Sequence, residues 1–318
     1  MPQRKYVVTG GAGFIGSTLV RKLIPHGAVS VIDNLLTGHE RNLDEVRGEI
    51  EFYLADIRDP GAIAPIIAGA DVVFHLAAIP SVPRSIDDPG PSHDVNINGT
   101  FNVLRAAVKG GVRRVVYAAS SSAYGDTPTL PKTETMLPRP KSPYAVQKLL
   151  GEYYASVFDS CFGLETVALR FFNVYGPRQD PTSPYSGVLS LFMKNLLAGT
   201  APTIFGDGEQ TRDFTYVEDV AELCRKAAHA PGVSGRMYNA GNGGRYSLNF
   251  IWELLQKIEG VEIEAAFGPP RPGDVRDSMA DTARAMTDLG HAPRFSIEEG
   301  LRSTLEWYRQ TEKAAGTA

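Results

Sequence analysis

The sequence contains very little cysteine, with Cys161 and Cys224 as the two such residues among 318. They are far apart in the chain and form no CxxC motif or Cys/His cluster, so the pattern indicates neither a structural metal site nor a disulfide framework. Long apolar runs are also missing, and the N-terminus leads into a strand pattern without the apolar segment of a signal peptide. We therefore expect a cytoplasmic protein that has no metal site and makes no membrane contact.

The chain also lacks an excess of charge of one sign. Its formal net charge is -4, from 32 Lys and Arg against 36 Asp and Glu. This balance provides no electrostatic attraction to nucleic acid or to an anionic membrane. Any anion that the protein binds must therefore be held locally, by a few cationic side chains and backbone N–H groups.

The first half of the chain alternates short β-branched runs with helical segments. Such alternation indicates a parallel sheet with helices on both faces. The pattern predicts strands at residues 5–9, 29–33, 51–54, 72–76, 114–119 and 165–170, and helices at 15–24, 98–109 and 144–158. Further helices are predicted near 188–197, 217–230 and 298–311, with a return strand at 237–240.

A glycine-rich turn separates the first predicted strand from the first predicted helix. Gly10, Gly13 and Gly16 form a GxxGxxG motif there. Residues without a Cβ atom let a pyrophosphate approach the backbone, and the following helix offers its first N–H groups to the anion. Asp33 ends the second strand, where a carboxylate can bind ribose hydroxyls and repel a 2′-phosphate. The motif predicts a site for NAD(H) rather than NADP(H); a purely structural glycine turn is the alternative.

Further cofactor contacts are expected after the next strands. Asp56 and Ile57 follow the third strand, where adenine would lie, although an Asp here could equally cap a helix before Pro60. Small residues after the fourth strand would let a cofactor run close to the backbone. The expected cofactor-binding residues are Gly10, Gly13, Phe14, Ile15, Gly16, Asp33, Asn34, Asp56, Ile57, Leu76, Ala77, Ala78, Tyr144, Lys148 and Phe171.

Tyr144 and Lys148 lie four residues apart in a helix that is predicted to begin near Ser142 and Pro143. This spacing puts both side chains on one face, one turn apart. A free tyrosine has a pKa of about 10, and an adjacent ammonium, with the positive nicotinamide ring nearby, would lower it by stabilising the phenolate. Ser120 ends the fifth strand, at the edge of the sheet where ligands bind. Both features also have a purely structural explanation: Tyr144 and Lys148 could be one face of an amphipathic helix, and Ser120 could belong to a serine-rich turn.

These motifs resemble those of the extended short-chain dehydrogenases that act on nucleotide-sugars. The resemblance rests on the glycine turn, the Ser120–Ser122 run, the Tyr144/Lys148 pair, Asn173-Val174-Tyr175-Gly176-Pro177-Arg178, Gly206-Asp207-Gly208, Arg212-Asp213-Phe214 and Arg271-Pro272-Gly273-Asp274. It implies an α/β fold, in which a Rossmann-like, doubly wound parallel sheet of seven strands adjoins a smaller mixed α/β C-terminal substrate domain. Residues 1–170, with a return segment near 213–250, would bind NAD, and 171–212 with 251–318 would bind the nucleotide-sugar.

The same resemblance implies roles for individual residues. Tyr144 would be the catalytic base, Lys148 its partner and a ligand of the nicotinamide ribose, and Ser120 a proton relay. The implied substrate-binding residues are Arg84, Ser121, Ser122, Asn173, Phe205, Arg212, Arg271, Asp274 and Ser278. Uridine is the implied base, and a four-helix bundle built from helices 98–109 and 144–158 would join two chains as a homodimer.

Ser121 and Ser122 help to distinguish which reaction of this family the protein catalyses. Hexose 4,6-dehydratases resemble this pattern but have an Asp and a Glu at these positions, because elimination of water requires an acid and a base. Serine cannot replace them near neutral pH. The sequence therefore favours 4-epimerisation of a UDP-hexose through a transient 4-keto sugar, with NAD tightly bound.

The choice of sugar depends mainly on Ser278. A small side chain leaves room for a 2-acetamido group, which slightly favours UDP-GlcNAc and UDP-GalNAc over UDP-glucose and UDP-galactose. The alternatives that remain open are a 4,6-dehydratase, a 4-ketosugar reductase, a uronate 4-epimerase and a non-catalytic NAD-binding regulator. Asn173 disfavours the uronate epimerase, in which threonine is expected, and the intact Tyr144 and Lys148 disfavour the regulator.

Overall fold

The computed structural model describes residues 3–180, 187–270 and 275–316, so the predicted substrate ligands Arg271 and Asp274 lie outside the described residues. Its strands are β1 (Lys5–Thr9), β2 (Ala28–Asp33), β3 (Ile50–Leu54), β4 (Val72–His75), β5 (Arg114–Ser120), β6 (Glu165–Phe171), β7 (Val174–Tyr175), β8 (Thr203–Phe205), β9 (Thr211–Arg212), β10 (Thr215–Tyr216), β11 (Arg236–Ala240), β12 (Tyr246–Ser247) and β13 (Ala266–Gly268). Its α-helices are α1 (Phe14–Leu23), α2 (Pro60–Ile67), α3 (Val82–Asp87), α4 (Pro89–His93), α5 (Thr100–Lys109), α6 (Pro143–Phe162), α7 (Val188–Leu197), α8 (Val217–Ala227), α9 (Leu248–Glu259), α10 (Ala283–Leu289) and α11 (Ile297–Gly316).

Seven strands form one sheet in the order β11-β6-β5-β4-β1-β2-β3, and every neighbouring pair is parallel. Successive strand residues point to opposite faces, and both faces are buried. Val8 belongs to a core that α1 and α8 cover, whereas Val7 belongs to a second core covered by α2, α5 and the end of α6. The predicted Rossmann-like, doubly wound sheet is confirmed.

A third core lies beyond the sheet and contains buried side chains of α7, α9 and α11, with Phe192, Trp252 and Leu301 among its members. Asp213 connects this part of the chain to the end of β11, because its buried carboxylate accepts hydrogen bonds from the backbone N–H groups of Asn242 and Ala280 at 2.9 Å each. The division into a cofactor domain and a substrate domain near residue 170 stays a prediction.

Several predicted boundaries differ from the structure. The helices α2, α3, α4, α9 and α10 were not predicted. The helix expected at 98–109 begins at Thr100, after a π-helical turn at Asp94–Gly99. The helix expected at 144–158 extends to Phe162, where Gly163 ends it in the left-handed conformation.

Within the described ranges, no helix combines the length and apolar character needed to cross a lipid bilayer. In the same ranges, no group of three or more His, Cys, Asp and Glu side chains is arranged to hold a metal ion.

Candidate active site

The glycine turn between β1 and α1 has no room for side chains. Gly10 has a φ of +73°, and a Cβ atom there would lie 2.7 Å from the backbone nitrogen of Ala77. A Cβ atom at Gly16 would lie 2.1 Å from the carbonyl oxygen of Gly10. Gly13 is the N-cap of α1 and offers no capping side chain, and the first turn of α1 has no acidic residue. The first N–H groups of α1 thus form a cradle that fits a pyrophosphate.

Asp33, at the end of β2, lies against this turn. Its carboxylate accepts hydrogen bonds from the backbone N–H groups of Ala12 at 2.9 Å and Leu35 at 2.8 Å. Burial raises the pKa of Asp33, and these two bonds oppose the rise. Carboxylate oxygens accept more than one hydrogen bond each, so Asp33 can still accept from ribose hydroxyls. The cradle and this carboxylate together fit NAD.

Asn34 and Asp56 meet at the ends of β2 and β3. The Asn34 side chain donates to Asp56 at 2.8 Å, and the hydrogen-bonded Arg58 guanidinium lowers the pKa of Asp56 to about 2. The alternative that Asp56 caps the next helix is wrong, because Asp59 caps α2. The Ile57 side chain is buried in the core, so only its backbone can face a cofactor.

The other predicted cofactor residues lie at the same edge of the sheet. Phe14 and Ile15 begin α1, and Phe171 ends β6 directly beside Ser120 of β5. The segment Leu76-Ala77-Ala78 follows β4, and Ala77 donates its backbone N–H to the Thr9 hydroxyl at 3.3 Å. These contacts place the small residues of the segment against the glycine turn.

Ser120, Tyr144 and Lys148 meet at the carboxyl end of β5. Ser120 lies close enough to Tyr144 for its hydroxyl to favour the phenolate, and Lys148 lies one turn further along α6. The Ser120 oxygen accepts from the Ser122 backbone N–H at 3.2 Å and from the Ser122 hydroxyl at 2.8 Å. With those acceptor positions used, the hydroxyl hydrogen of Ser120 can be donated to Tyr144, where it would stabilise a phenolate.

Burial controls the pKa values in this group. Burial raises the pKa of Tyr144 above its ordinary value, and the Ser120 hydroxyl opposes the rise. Burial also lowers the pKa of Lys148 to about 8. The predicted fall in the tyrosine pKa includes the positive nicotinamide ring beside the phenolate, and it stays a prediction for the NAD-bound protein.

His75, the last residue of β4, was missed by the sequence analysis. Its Nδ1 lies 2.7 Å from the hydroxyl of Thr9, and its Nε2 lies 2.9 Å from that of Thr100. Thr100 donates its own hydrogen to the Asn96 carbonyl, so it accepts from Nε2–H of His75, and Nδ1 accepts from Thr9. Burial lowers the pKa of His75 to about 3. This neutral ring cross-links β4 to β1 and α5; a polar residue inside an apolar strand was its sequence signal.

Two predicted substrate residues are brought together by β9. Arg212 ends this strand, and its Nη1 donates to the carbonyls of Thr211 at 2.9 Å and Arg276 at 3.2 Å. The backbone N–H of Ser278 donates to the same Thr211 carbonyl at 3.1 Å. A predicted diphosphate ligand and the predicted sugar-selecting residue thus lie on adjacent segments.

The other described substrate candidates lie on separate elements. Ser121 and Ser122 form a 3-10 turn after β5, and exposed Asn173 donates to the Asp213 carbonyl at 3.4 Å. Arg84 lies on α3, which contacts the catalytic helix where Ser85 accepts from the Tyr144 backbone N–H at 3.1 Å. Phe205 ends β8. Their roles toward a substrate stay predictions.

The glycine cradle makes a direct prediction about cofactor retention. Replacing Gly10→Ala puts a Cβ atom onto the Ala77 backbone, so we expect purified protein to carry at least about tenfold less nucleotide, measured after denaturation by chromatography. Gly111→Ala is the matched control, because Gly111 has a φ of +69° with no atom within 4 Å of its Cβ position. Equal nucleotide content in both variants would contradict this account of the cradle.

Comparisons with known proteins agree with this geometry. Residues 6–241 match the NAD dependent epimerase/dehydratase family. The chain is 40% identical to a UDP-glucose 4-epimerase of Mycolicibacterium smegmatis, over 95% of this chain and 98% of that protein. A UDP-N-acetylglucosamine 4-epimerase from Methanobrevibacter ruminantium, solved with UDP-N-acetylmuramic acid, has a TM-score of 0.94 at 36% identity, covering 98% of this chain and 100% of that chain.

A UDP-glucose 4-epimerase of Thermus thermophilus, solved with NAD, has a TM-score of 0.88 at 36% identity, covering 96% of this chain and 99% of that chain. Structures similar at lower identity include a UDP-glucuronic acid 4-epimerase and a dTDP-glucose 4,6-dehydratase. The chain therefore belongs to the NAD-dependent epimerase/dehydratase family, within the extended short-chain dehydrogenases, and is an NAD-dependent isomerase.

Proposed function

We propose that this protein interconverts UDP-hexoses that differ in configuration at C4. The observation that carries the proposal is the placement of Ser120 beside Tyr144 and buried Lys148, with serines rather than carboxylates at positions 121 and 122. This site can remove a proton from a sugar hydroxyl and return it. It provides no carboxyl group at the two positions where a dehydratase needs them.

Tyr144 accepts the proton of the O4 hydroxyl as C4 is oxidised to a ketone, and returns a proton when the ketone is reduced. The Ser120 hydroxyl beside the Tyr144 oxygen stabilises the phenolate that accepts the O4 proton, and Tyr144 becomes a phenolate again once the proton is returned. Lys148 adds a positive charge one turn below. The glycine cradle and Asp33 would hold NAD, which when bound supplies the acceptor for the hydrogen that leaves C4 and the donor for its return.

Inversion at C4 requires the 4-keto sugar to present its opposite face while the nucleotide stays bound. A cationic and an aromatic side chain on other elements than α6 suit the anchor: Arg212 at the end of β9 for the diphosphate and Phe205 at the end of β8 for the uracil ring. Ser122 donates its hydroxyl hydrogen to Ser120, so toward the sugar its oxygen can act only as an acceptor. An epimerase must bind the nucleotide tightly and the hexose weakly, so that the 4-keto sugar can turn over in the site.

For the sugar, we favour the N-acetylated hexosamines. Ser278 lies beside the Arg212 strand, and its small side chain leaves space where a tyrosine would fill it. Relatives act on different sugars by name, with UDP-glucose in the Mycolicibacterium smegmatis protein and UDP-N-acetylglucosamine in the Methanobrevibacter ruminantium protein. The preference for UDP-GlcNAc and UDP-GalNAc therefore depends on Ser278.

Replacing Tyr144→Phe tests the catalytic assignment. Loss of the phenolic oxygen removes proton transfer, so we expect kcat for C4 epimerisation to fall by about 10²–10⁴-fold while NAD content is unchanged. Tyr53→Phe, an exposed tyrosine on β3, is the matched control and should keep parental turnover. Turnover by Tyr144→Phe at the parental rate would refute the mechanism.

Replacing Ser278→Tyr tests the sugar assignment. We expect a bulky ring to reduce kcat/KM for UDP-GlcNAc relative to UDP-glucose by about tenfold or more, since it occupies the space for the acetamido group. The assay resolves the products from UDP-hexoses, UDP-N-acetylhexosamines and UDP-glucuronate by chromatography, with Ser278→Ala as the small-residue control. An unchanged ratio between the two sugar classes would remove Ser278 as the selecting residue.

A homodimer through α5 and α6 is also part of the proposal. Val146, Tyr153 and Val157 of α6 are 43%, 53% and 48% exposed, and their spacing of seven and four residues puts them on one helix face. Phe101 of α5 packs against Tyr154 of α6 with ring centroids 5.5 Å apart, so the two helices form one surface. An apolar stripe of this kind is suited to a second copy of the chain.

Light scattering tests this assembly. We expect a parental mass of about twice the 34.4 kDa chain, and a shift toward the monomer in Val157→Glu, because a charge within the stripe cannot be buried without a partner. Val261→Glu introduces the same change at a residue 39% exposed outside α6 and should remain dimeric. A monomeric parent would exclude the assembly.

A further inference from the structure

A buried ion pair lies one helical turn beyond Lys148. Arg170 of β6 donates to Glu152 of α6 at 2.9 Å from Nε and at 2.7 Å from Nη2, and the two side chains are 2% and 7% exposed. Such pairs are a poor source of stability, because removing two ions from water costs about as much as their attraction returns. The position of this pair, beside a catalytic lysine, points to a role in the site.

Four titratable groups face Lys148 from the elements around it. Tyr144 and Glu152 lie one turn before and after it on α6, the Tyr117 ring of β5 has its centroid 4.8 Å from the Lys148 ammonium, and His75 lies at the end of β4. Burial favours the neutral forms of His75 and Tyr117, and Tyr144 is neutral whenever it holds a proton. Glu152, paired with Arg170, is therefore the one of these four neighbours that stays negative throughout.

Arg170 fixes Glu152 in place. The guanidinium packs over the ring of Tyr124 at 4.4 Å, and the Tyr124 hydroxyl donates to Asn239 at 2.6 Å. Nη1 of Arg170 is buried and has no hydrogen-bond partner among the described residues, so the arginine is held by Glu152 and the ring. Tyr124 ends the 3-10 turn that follows Ser120. The pair therefore connects the helix that carries Lys148 to the turn that follows Ser120.

We propose that Glu152 is a positioning residue whose carboxylate, anchored by Arg170, keeps the Lys148 ammonium charged beneath Tyr144. The kinetic consequence rests on the proposed function. Burial lowers the pKa of Lys148 to about 8, and Glu152 opposes that fall. Lys148 loses its charge as the pH rises through this value. Without the Glu152 carboxylate, Lys148 loses its charge at a lower pH. Repulsion from the unpaired Arg170 cation lowers the Lys148 pKa further.

Lysine-selective NMR measures this charge directly. In protein labelled with [6-13C]lysine, the Lys148 resonance is identified by its absence in Lys148→Met, and its chemical shift follows its protonation. We expect a parental midpoint near the pKa of about 8, and a midpoint about one pH unit or more lower in Glu152→Gln. Glu165→Gln is the matched control at the opposite end of β6, where Glu165 pairs with Arg113 and Arg114. A Lys148 midpoint unchanged by Glu152→Gln overturns the inference.

A second variant keeps the test valid if Glu152→Gln does not fold. The double replacement Glu152→Leu with Arg170→Met fills the same space with apolar groups, a change that buried ion pairs tolerate. Its Lys148 midpoint should also fall, by less than in the single variant because the Arg170 cation is gone as well. A parental midpoint in this well-folded double variant overturns the inference too.

The pH profile connects the inference to catalysis. The alkaline limb of kcat/KM for epimerisation should move to lower pH in Glu152→Gln by the same amount as the NMR midpoint, and stay in place in Glu165→Gln. If the midpoint moves but the parent does not epimerise any UDP-hexose, the proposed function fails and the role of Glu152 toward Lys148 stands. If the parent epimerises a UDP-hexose but Glu152→Gln leaves the Lys148 midpoint unchanged, the role of Glu152 is refuted and the proposed function stands.

Discussion

Burial of the Lys148 ammonium is the constraint on which the site depends. The residue is 4% exposed, so the fold must replace the water that a cation loses. The face of the Tyr117 ring provides part of this replacement, and the Tyr117 hydroxyl donates to the Lys148 carbonyl at 3.2 Å. Gly151 makes the approach possible, because a Cβ atom there would lie 2.1 Å from the Tyr117 oxygen. The buried cation is thus accommodated by a glycine in the helix and an aromatic residue in the strand.

The parallel sheet collects the other groups. Because all seven strands point the same way, residues that follow β1, β2, β4, β5 and β6 meet at one edge although they are distant in sequence. Gly10, Asp33, Ala77, Ser120 and Phe171 all lie there. The buried, neutral His75 connects two of these strands to α5 through its hydrogen bonds with Thr9 and Thr100. The same backbone therefore provides a cofactor cradle on one side of the edge and an acid–base group on the other.

Much of the fold could be predicted from the sequence because its signals are local. The β-branched runs located the sheet strands to within one residue at each end, and the strand-turn-helix context of Gly10, Gly13 and Gly16 identified the cradle. The helix α2 was missed because Pro60 and Pro65 interrupt its pattern, and the π-helical turn before Thr100 arises from tertiary contacts such as that of Asn96 with Gln147 at 2.9 Å.

The electrostatics of the site could not be predicted in the same way. The four-residue spacing put Tyr144 and Lys148 on one face, but it carried no information on desolvation, which sets the direction of both pKa shifts. Glu152 continues the same spacing, yet its effect depends on Arg170, which arrives from another strand. Such pairings are set by the tertiary fold, which local patterns do not encode.

The central claim is that C4 is oxidised and reduced again within one site. The direct test follows the hydrogen on that carbon, using UDP-GlcNAc deuterated at C4 in ordinary water and the unlabelled sugar in deuterium oxide. The account predicts that the UDP-GalNAc product keeps the deuterium of the substrate at C4 and gains none from the solvent. Exchange of the C4 hydrogen with solvent would contradict it, because the hydrogen would then have left C4 as a proton rather than as a hydride.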